Sequence, residues 1–269
     1  MTPAHFFRLL SAELRAVFGR WSGKGALILS VIIPVVAALA MNRAMGAADE
    51  AVLNGMPASS FLDMTWRGVL DWSLTGRNFF ILSLLLVLSA AGTMTGELAD
   101  NSLRESILRP VPRWSVLVAK LLALSALSAS TLIVTFGVGL AAGAGVAGTE
   151  AEISKVALGY LASFASDVGL LALTLLAGVF LRSVGMVVVV VVLFLIVDWA
   201  GGLGLSGLGA LGVDWARDVA QLRPGHGLSV WDGWKSADGF DTSAWVALGI
   251  LFSIGFGGAL ARFQRMDIP

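Results

Sequence analysis

Four places in this 269-residue chain hold residue types that could do chemistry. Asp167 is an acid inside a long apolar run, where it could line a pathway or relay protons. The same position also fits a protonated acid, hydrogen-bonded to Ser163, Ser166 or a serine of the third span. Ser206, in Gly204-Leu205-Ser206-Gly207, is followed by His226, and a serine nucleophile with a histidine base needs the two to converge. His226 lies in the turn-rich stretch Arg-Pro-Gly-His-Gly, which disfavours that pairing. Gly143-Ala144-Gly145-Val146-Ala147-Gly148 matches GxGxxG with Asp167 downstream, but a dinucleotide site requires a short strand before it. The apolar run ahead of these glycines is far too long for a strand, so they read as the end of a span. Gly23-Lys24 ends like a phosphate-binding loop, yet position 18 is Phe18 where that loop needs a glycine. The chain therefore carries no such ATP site of its own.

Composition decides what must position these residues. The chain is 57% hydrophobic and 13% charged, with a mean hydropathy of +0.85. Soluble domains are about 25% charged and lack repeated apolar runs near twenty residues, so this is an integral membrane protein. The net charge is zero, which gives no footing for nucleic acid. There is no Cys, which removes disulfides and thiolate chemistry, and only His5 and His226 are available for an imidazole metal site. No metal site and no directly bound cofactor are expected.

The expected fold is all-α, one polytopic domain with six transmembrane helices. Residues 1–24 form an amphipathic interfacial helix, with Phe7, Leu10, Leu14, Val17, Phe18 and Trp21 against Arg8, Arg15 and Arg20. The spans are placed at about 25–41, 78–95, 116–147, 156–181, 184–199 and 243–260 by their apolar length. A cleaved signal peptide is the lesser reading of the first, because the region before it is long and amphipathic. Residues 42–77 read as a mixed polar loop. The third run is longer than a span requires, so it is tilted, broken or projects from the bilayer; its Gly139 and Gly143 permit close packing. Asp198, beside Trp199, reads as interfacial. Residues 201–242 form an extracytoplasmic loop, whose first part suits short helices dipping back into the membrane. Eleven Lys and Arg fall on the side of the termini and seven on the other, which places both termini in the cytoplasm.

The segment Gly96–Lys120 is charged and patterned between two apolar runs, so it must lie at a membrane surface. Pro110 and Pro112 stop its helix before the next span. Glu97, Leu103, Leu108, Pro110, Arg113 and Lys120 resemble the "E…GTL…LL…P.SR…L..K" pattern of ABC-2 type permeases, the membrane subunits of one class of ABC transporter. Asn101-Ser102 stands where that family usually has Gly-Thr, and Pro112 where a Ser is common. The resemblance implies that residues 96–114 hold a cytoplasmic coupling helix docked on a separate ATPase, with ATP and Mg on that partner. It implies a second permease copy, as homodimer or heterodimer, and export across a bacterial cytoplasmic membrane. Carried onto this chain, the ATPase contacts are Glu97, Asp100, Leu103, Arg104, Ile107, Leu108 and Arg113. The protein itself is then not an enzyme. The competing expectations are a rhomboid-like serine protease using Ser206 and His226, whose GxSG motif the chain resembles there, and a structural membrane anchor.

Overall fold

The computed structural model describes residues 3–48, 52–53, 56–57, 66–79, 81–97, 112–147, 153–181, 183–235 and 241–266. Apart from a two-residue ladder pairing Val52 with Pro57 and Leu53 with Met56, the described elements are helical. Six helical segments are long and apolar enough to cross a membrane. Apolar runs of this length must be helical in hydrocarbon, because only a helix satisfies every backbone N–H and C=O within one segment.

Helix α1 (Pro3–Gly19) precedes α2 (Trp21–Ala48), the first span, which holds Pro34 in its interior. The second span is made of α3 (Trp66–Phe79) and α4 (Ile81–Ala91), and a π-helical turn, Gly92–Gly96, extends it. Next come α5 (Arg113–Ala147), α6 (Ile153–Phe180) and α7 (Val184–Ala210). Two short helices follow, α8 (Asp214–Gln221) and α9 (Pro224–Leu228), then a 3-10 turn over Val230–Lys235. The last span is α10 (Thr242–Gln264).

Several expected boundaries are corrected. Residues 66–77 are not loop: α3 is helical and lays Val69, Leu70, Ser73, Leu74 and Arg77, all fully buried, along one face. Spaced at four and three, they form one stripe, while Arg67, Asp71, Trp72 and Gly76 on other faces lower the hydropathy. The third run is one unbroken helix of 35 residues, about 52 Å at 1.5 Å per residue, longer than the hydrocarbon layer is thick. The fifth span reaches Ala210 rather than residue 199, so the first part of the expected loop continues the helix. That extension puts Asp198 at mid-helix, about 21 Å from Val184, and not at an end. The refolded part of the loop comes later, in α8, α9 and the 3-10 turn.

Helices α4, α5 and α6 form the middle of the bundle. Their main cluster includes Leu82, Leu86, Leu117, Leu124, Leu171 and Leu175, and α1 closes it with Val17 while α10 adds Phe263. Leu10, Leu14 and Phe18 of α1 pack on this cluster, whereas Phe7 and Trp21 of the expected apolar face are exposed. Helix α7 is the least covered span, consistent with its run of valines. Contact between α6 and α10 is set by Gly255, where an added Cβ would lie 2.8 Å from the Leu173 nitrogen. Gly227 does the same for α9, bringing it within backbone contact of Leu248 on α10.

Candidate functional site

Two buried charge clusters stand out, one in the middle of the bundle and one at its α1 end. In the first, α3 delivers Arg77 and α6 delivers Asp167, ninety residues on, with an Nη2–Oδ2 distance of 2.6 Å. Both are nearly removed from solvent, at 0% and 6% side-chain exposure. Arg77 also donates to Thr131 Oγ1 (3.0 Å), Asn78 Oδ1 (2.8 Å) and Ser163 Oγ (3.3 Å). Ser128 of α5 donates to the same Asp167 oxygen. Three spans are thereby tied through one ion pair, in surroundings where an unpaired charge is very costly.

Asp167 is thus the partner of an arginine. The expected hydrogen bond from a third-span serine is present, through Ser128. Ser163 bonds Asn78 Oδ1 (3.0 Å), and Ser166 turns back to the Ala162 carbonyl (3.2 Å). Arg77 falls at the end of the stretch 42–77 that the sequence reads as polar loop. Its signal in the sequence was its place just ahead of a charge-free run: a lone cation and a lone acid, both in apolar context, each require a counter-ion. Beside the pair, between α4, α6, α7 and α9, lies a cavity of about 520 Å³ with Asn78 and Asp167 on its wall.

The second cluster is centred on Lys120, fully buried although its place in the charged segment Gly96–Lys120 predicts a membrane surface. Its ammonium lies 2.6 Å from Glu97 Oε2 and 2.8 Å from Glu13 Oε1. Arg20 stands 3.8 Å from the other Glu97 oxygen. The π turn before Glu97 inserts one residue into the helix and so rotates the residues after it. Glu97 caps it, its N–H bonded to the Met94 carbonyl. Burial holds the Glu13 carboxyl above its ordinary range, opposed by the charge of Lys120. The cluster joins α1, the end of the second span and the start of the third. Sequence inspection missed Glu13, which sits at three and four residues from Leu10, Leu9 and Val17, on the buried face of α1.

Of the expected ATPase contacts, Asp100, Leu103, Arg104, Ile107 and Leu108 lie outside the described residues. Glu97 is turned toward Lys120. Arg113 donates to the carbonyls of Met266 (2.6 Å) and Gln264 (3.2 Å), capping the end of α10 and holding it beside the start of α5.

Ser206 and His226 border one small cavity of about 320 Å³, but no hydrogen bond joins them. His226 Nε2 faces Asp241 Oδ2 (3.0 Å) and Ser243 Oγ (2.9 Å). Both partners share one ring nitrogen, whereas a nucleophile–base–orienter arrangement uses both nitrogens. Asp241 caps α10, accepting from the Ser243 backbone N–H at 2.8 Å, and the Ser243 bonds hold its carboxyl below the ordinary range. Arg223, which borders the same small cavity, reaches through Nη1 to the Asp198 carbonyl oxygen (2.5 Å) and its carboxylate (3.5 Å). The expected interfacial Asp198 is therefore a mid-helix acid neutralised by an arginine from the refolded loop. Among the described residues, no group of three or more His, Asp or Glu could hold a metal ion. The glycines 143–147 end the helix α5, and no strand precedes them.

No protein-family model matches the chain, and no curated protein matches it.

Proposed function

We propose that this chain is the membrane subunit of an ATP-driven transporter of the ABC-2 permease kind, exporting a substrate with energy from a separate ATPase. Its six candidate spans supply the required architecture. The observation that carries the reading is the Glu13–Lys120–Glu97 cluster. Glu97 and Lys120 are the two ends of the motif stretch, and they meet at 2.6 Å with α1 locked against them. A charged segment fixed at both ends to different spans transmits a push from outside the membrane to α4 and α5 together. A segment tethered at one end would absorb it. Such rigid-body coupling is how two-state membrane machines move, and the switch would bring two permease copies from inward-open to outward-open states.

In this reading Leu103 and Ile107 fill a groove of the ATPase, Leu108 is a further contact, and Asp100, Arg104 and the charges near them fix register. ATP and Mg remain on the partner, and both termini lie in the cytoplasm. The test is affinity capture of the tagged full-length chain from its own membranes in mild detergent, with mass spectrometry of co-purifying chains. A stoichiometric partner with a Walker A motif is expected, lost in the Leu103→Asp, Ile107→Asp double variant. Purification without any ATPase would remove the transporter reading and leave a structural anchor.

A further inference from the structure

The cavity beside the Arg77–Asp167 pair has the build of a ligand site that neither charge cluster requires. Its volume of about 520 Å³ falls within the ~300–1,000 Å³ usual for small-molecule sites. Most of its wall is apolar, from Leu84 and Val87 of α4, Leu170 of α6, and Val192 and Leu195 of α7. Two polar patches interrupt that wall. One is Asn78, Ser83, Ser166 and Asp167; the other is Asp198, Arg223 and Ser229. Counted along their helices, Asp167 is about 20 Å from Phe180 and Asp198 about 21 Å from Val184, so both patches stand at one level of the bundle. That level is deep in a hydrocarbon layer about 30 Å thick.

We propose that this cavity binds a single-chain amphiphile whose head is uncharged and carries hydroxyl or carbonyl oxygens. The charges on the wall are already matched: Asp167 by Arg77 at 2.6 Å, and Asp198 by Arg223. A charged head would enter as an extra ion without a counter-ion, at large cost in this medium. An uncharged oxygen acceptor meets an existing need, because Asn78 Nδ2 is a buried donor with no partner. The volume lies in the lower half of the usual range, which matches one aliphatic chain and not two. Entry is from the bilayer side. Ile196 and Trp199 line the cavity and are also 51% and 65% exposed, so the mouth runs along α7, the least covered span. The site goes beyond the transport reading and does not depend on an ATPase.

The experiment is photolabelling of the purified full-length protein with a monoacylglycerol carrying a diazirine in its chain. Saturable labelling is expected, with adducts on residues 83–87 and 192–199. Unlabelled monoacylglycerol should compete at least tenfold better than a fatty acid or an alkyl trimethylammonium of equal chain length. Leu195→Trp, which fills the cavity, should lower labelling at least tenfold, whereas Val189→Trp on the exposed face of α7 should not. Non-saturable labelling spread over the exposed faces of α2 and α7 would overturn the site. Equal competition by the charged chains would overturn the uncharged head. The competition series uses the unaltered chain, so it decides the matter even if Leu195→Trp fails to fold.

Discussion

Removing either partner of the central ion pair should cost more than any other single polar change. In Asp167→Asn, the Arg77 guanidinium stays fully buried and loses its counter-charge. Breaking a buried pair by removing one partner typically costs about 3–5 kcal/mol. Thr131, Ser163 and Asn78 still accept from Arg77, which sets the expectation at the lower end, about 3 kcal/mol. At about 1.4 kcal/mol per tenfold, the folded fraction relative to unfolded falls more than a hundredfold. Arg77→Met alone leaves Asp167 buried with Ser128, and a loss of similar size is expected. The double variant Arg77→Met, Asp167→Leu removes both charges at once and should recover most of the loss, since apolar replacement of a buried pair is often neutral. Reversible unfolding in mixed SDS micelles measures all three on one scale. If Asp167→Asn stays within about 0.5 kcal/mol of the parent, or the double variant is as unstable as the two losses added, the pair is not an isolated buried ion pair.

The Lys120 cluster predicts a local effect. Lys120→Met leaves Glu13 and Glu97 facing each other with only Arg20, 3.8 Å from Glu97, to offset them, so trypsin should cut after Arg104 several-fold faster; unchanged cleavage would show that the clamp does not restrain the segment. Glu13 titrates above its ordinary value of 4.5 because it is buried. A raised pKa in the folded state contributes stability below the ordinary value that is lost as pH rises through the folded one. Glu13→Gln should therefore gain on the parent as pH rises from 4 toward neutral, and a difference independent of pH would refute the shift. Asp241 has the opposite sign: its lowered pKa contributes stability above 3.8 that disappears as pH falls through the folded value. Asp241→Ala should cost about 1 kcal/mol near neutrality, as a lost helix cap does, and nothing in strong acid. Gly255→Val places side-chain atoms where α6 backbone already lies and should cost roughly 1–3 kcal/mol or more in the same SDS titration.

The six candidate spans and their order were legible from one-dimensional composition, because hydrocarbon forces each long apolar run to satisfy its own backbone as a helix. Asp167 was legible as an oddity for the same reason. Its answer was not, because Arg77 sits in a helix whose other faces are polar, and averaging over the window hid its buried stripe. Glu13 was hidden in the same way by the arginines around it in α1. Asp198 was misplaced because the glycines after Trp199 look like a loop, although they continue α7 to Ala210.

What the sequence alone determined is how many times the chain could cross a membrane, and where charge is scarce. What only tertiary structure decided is which charges meet: Arg77 with Asp167, Lys120 with Glu13 and Glu97, and Arg223 with Asp198. Hydropathy is a sum over neighbours along the chain. Charge pairing is settled across it, by which helix faces pack within a few ångströms of one another, and in these three cases the partners are between 23 and 107 residues apart.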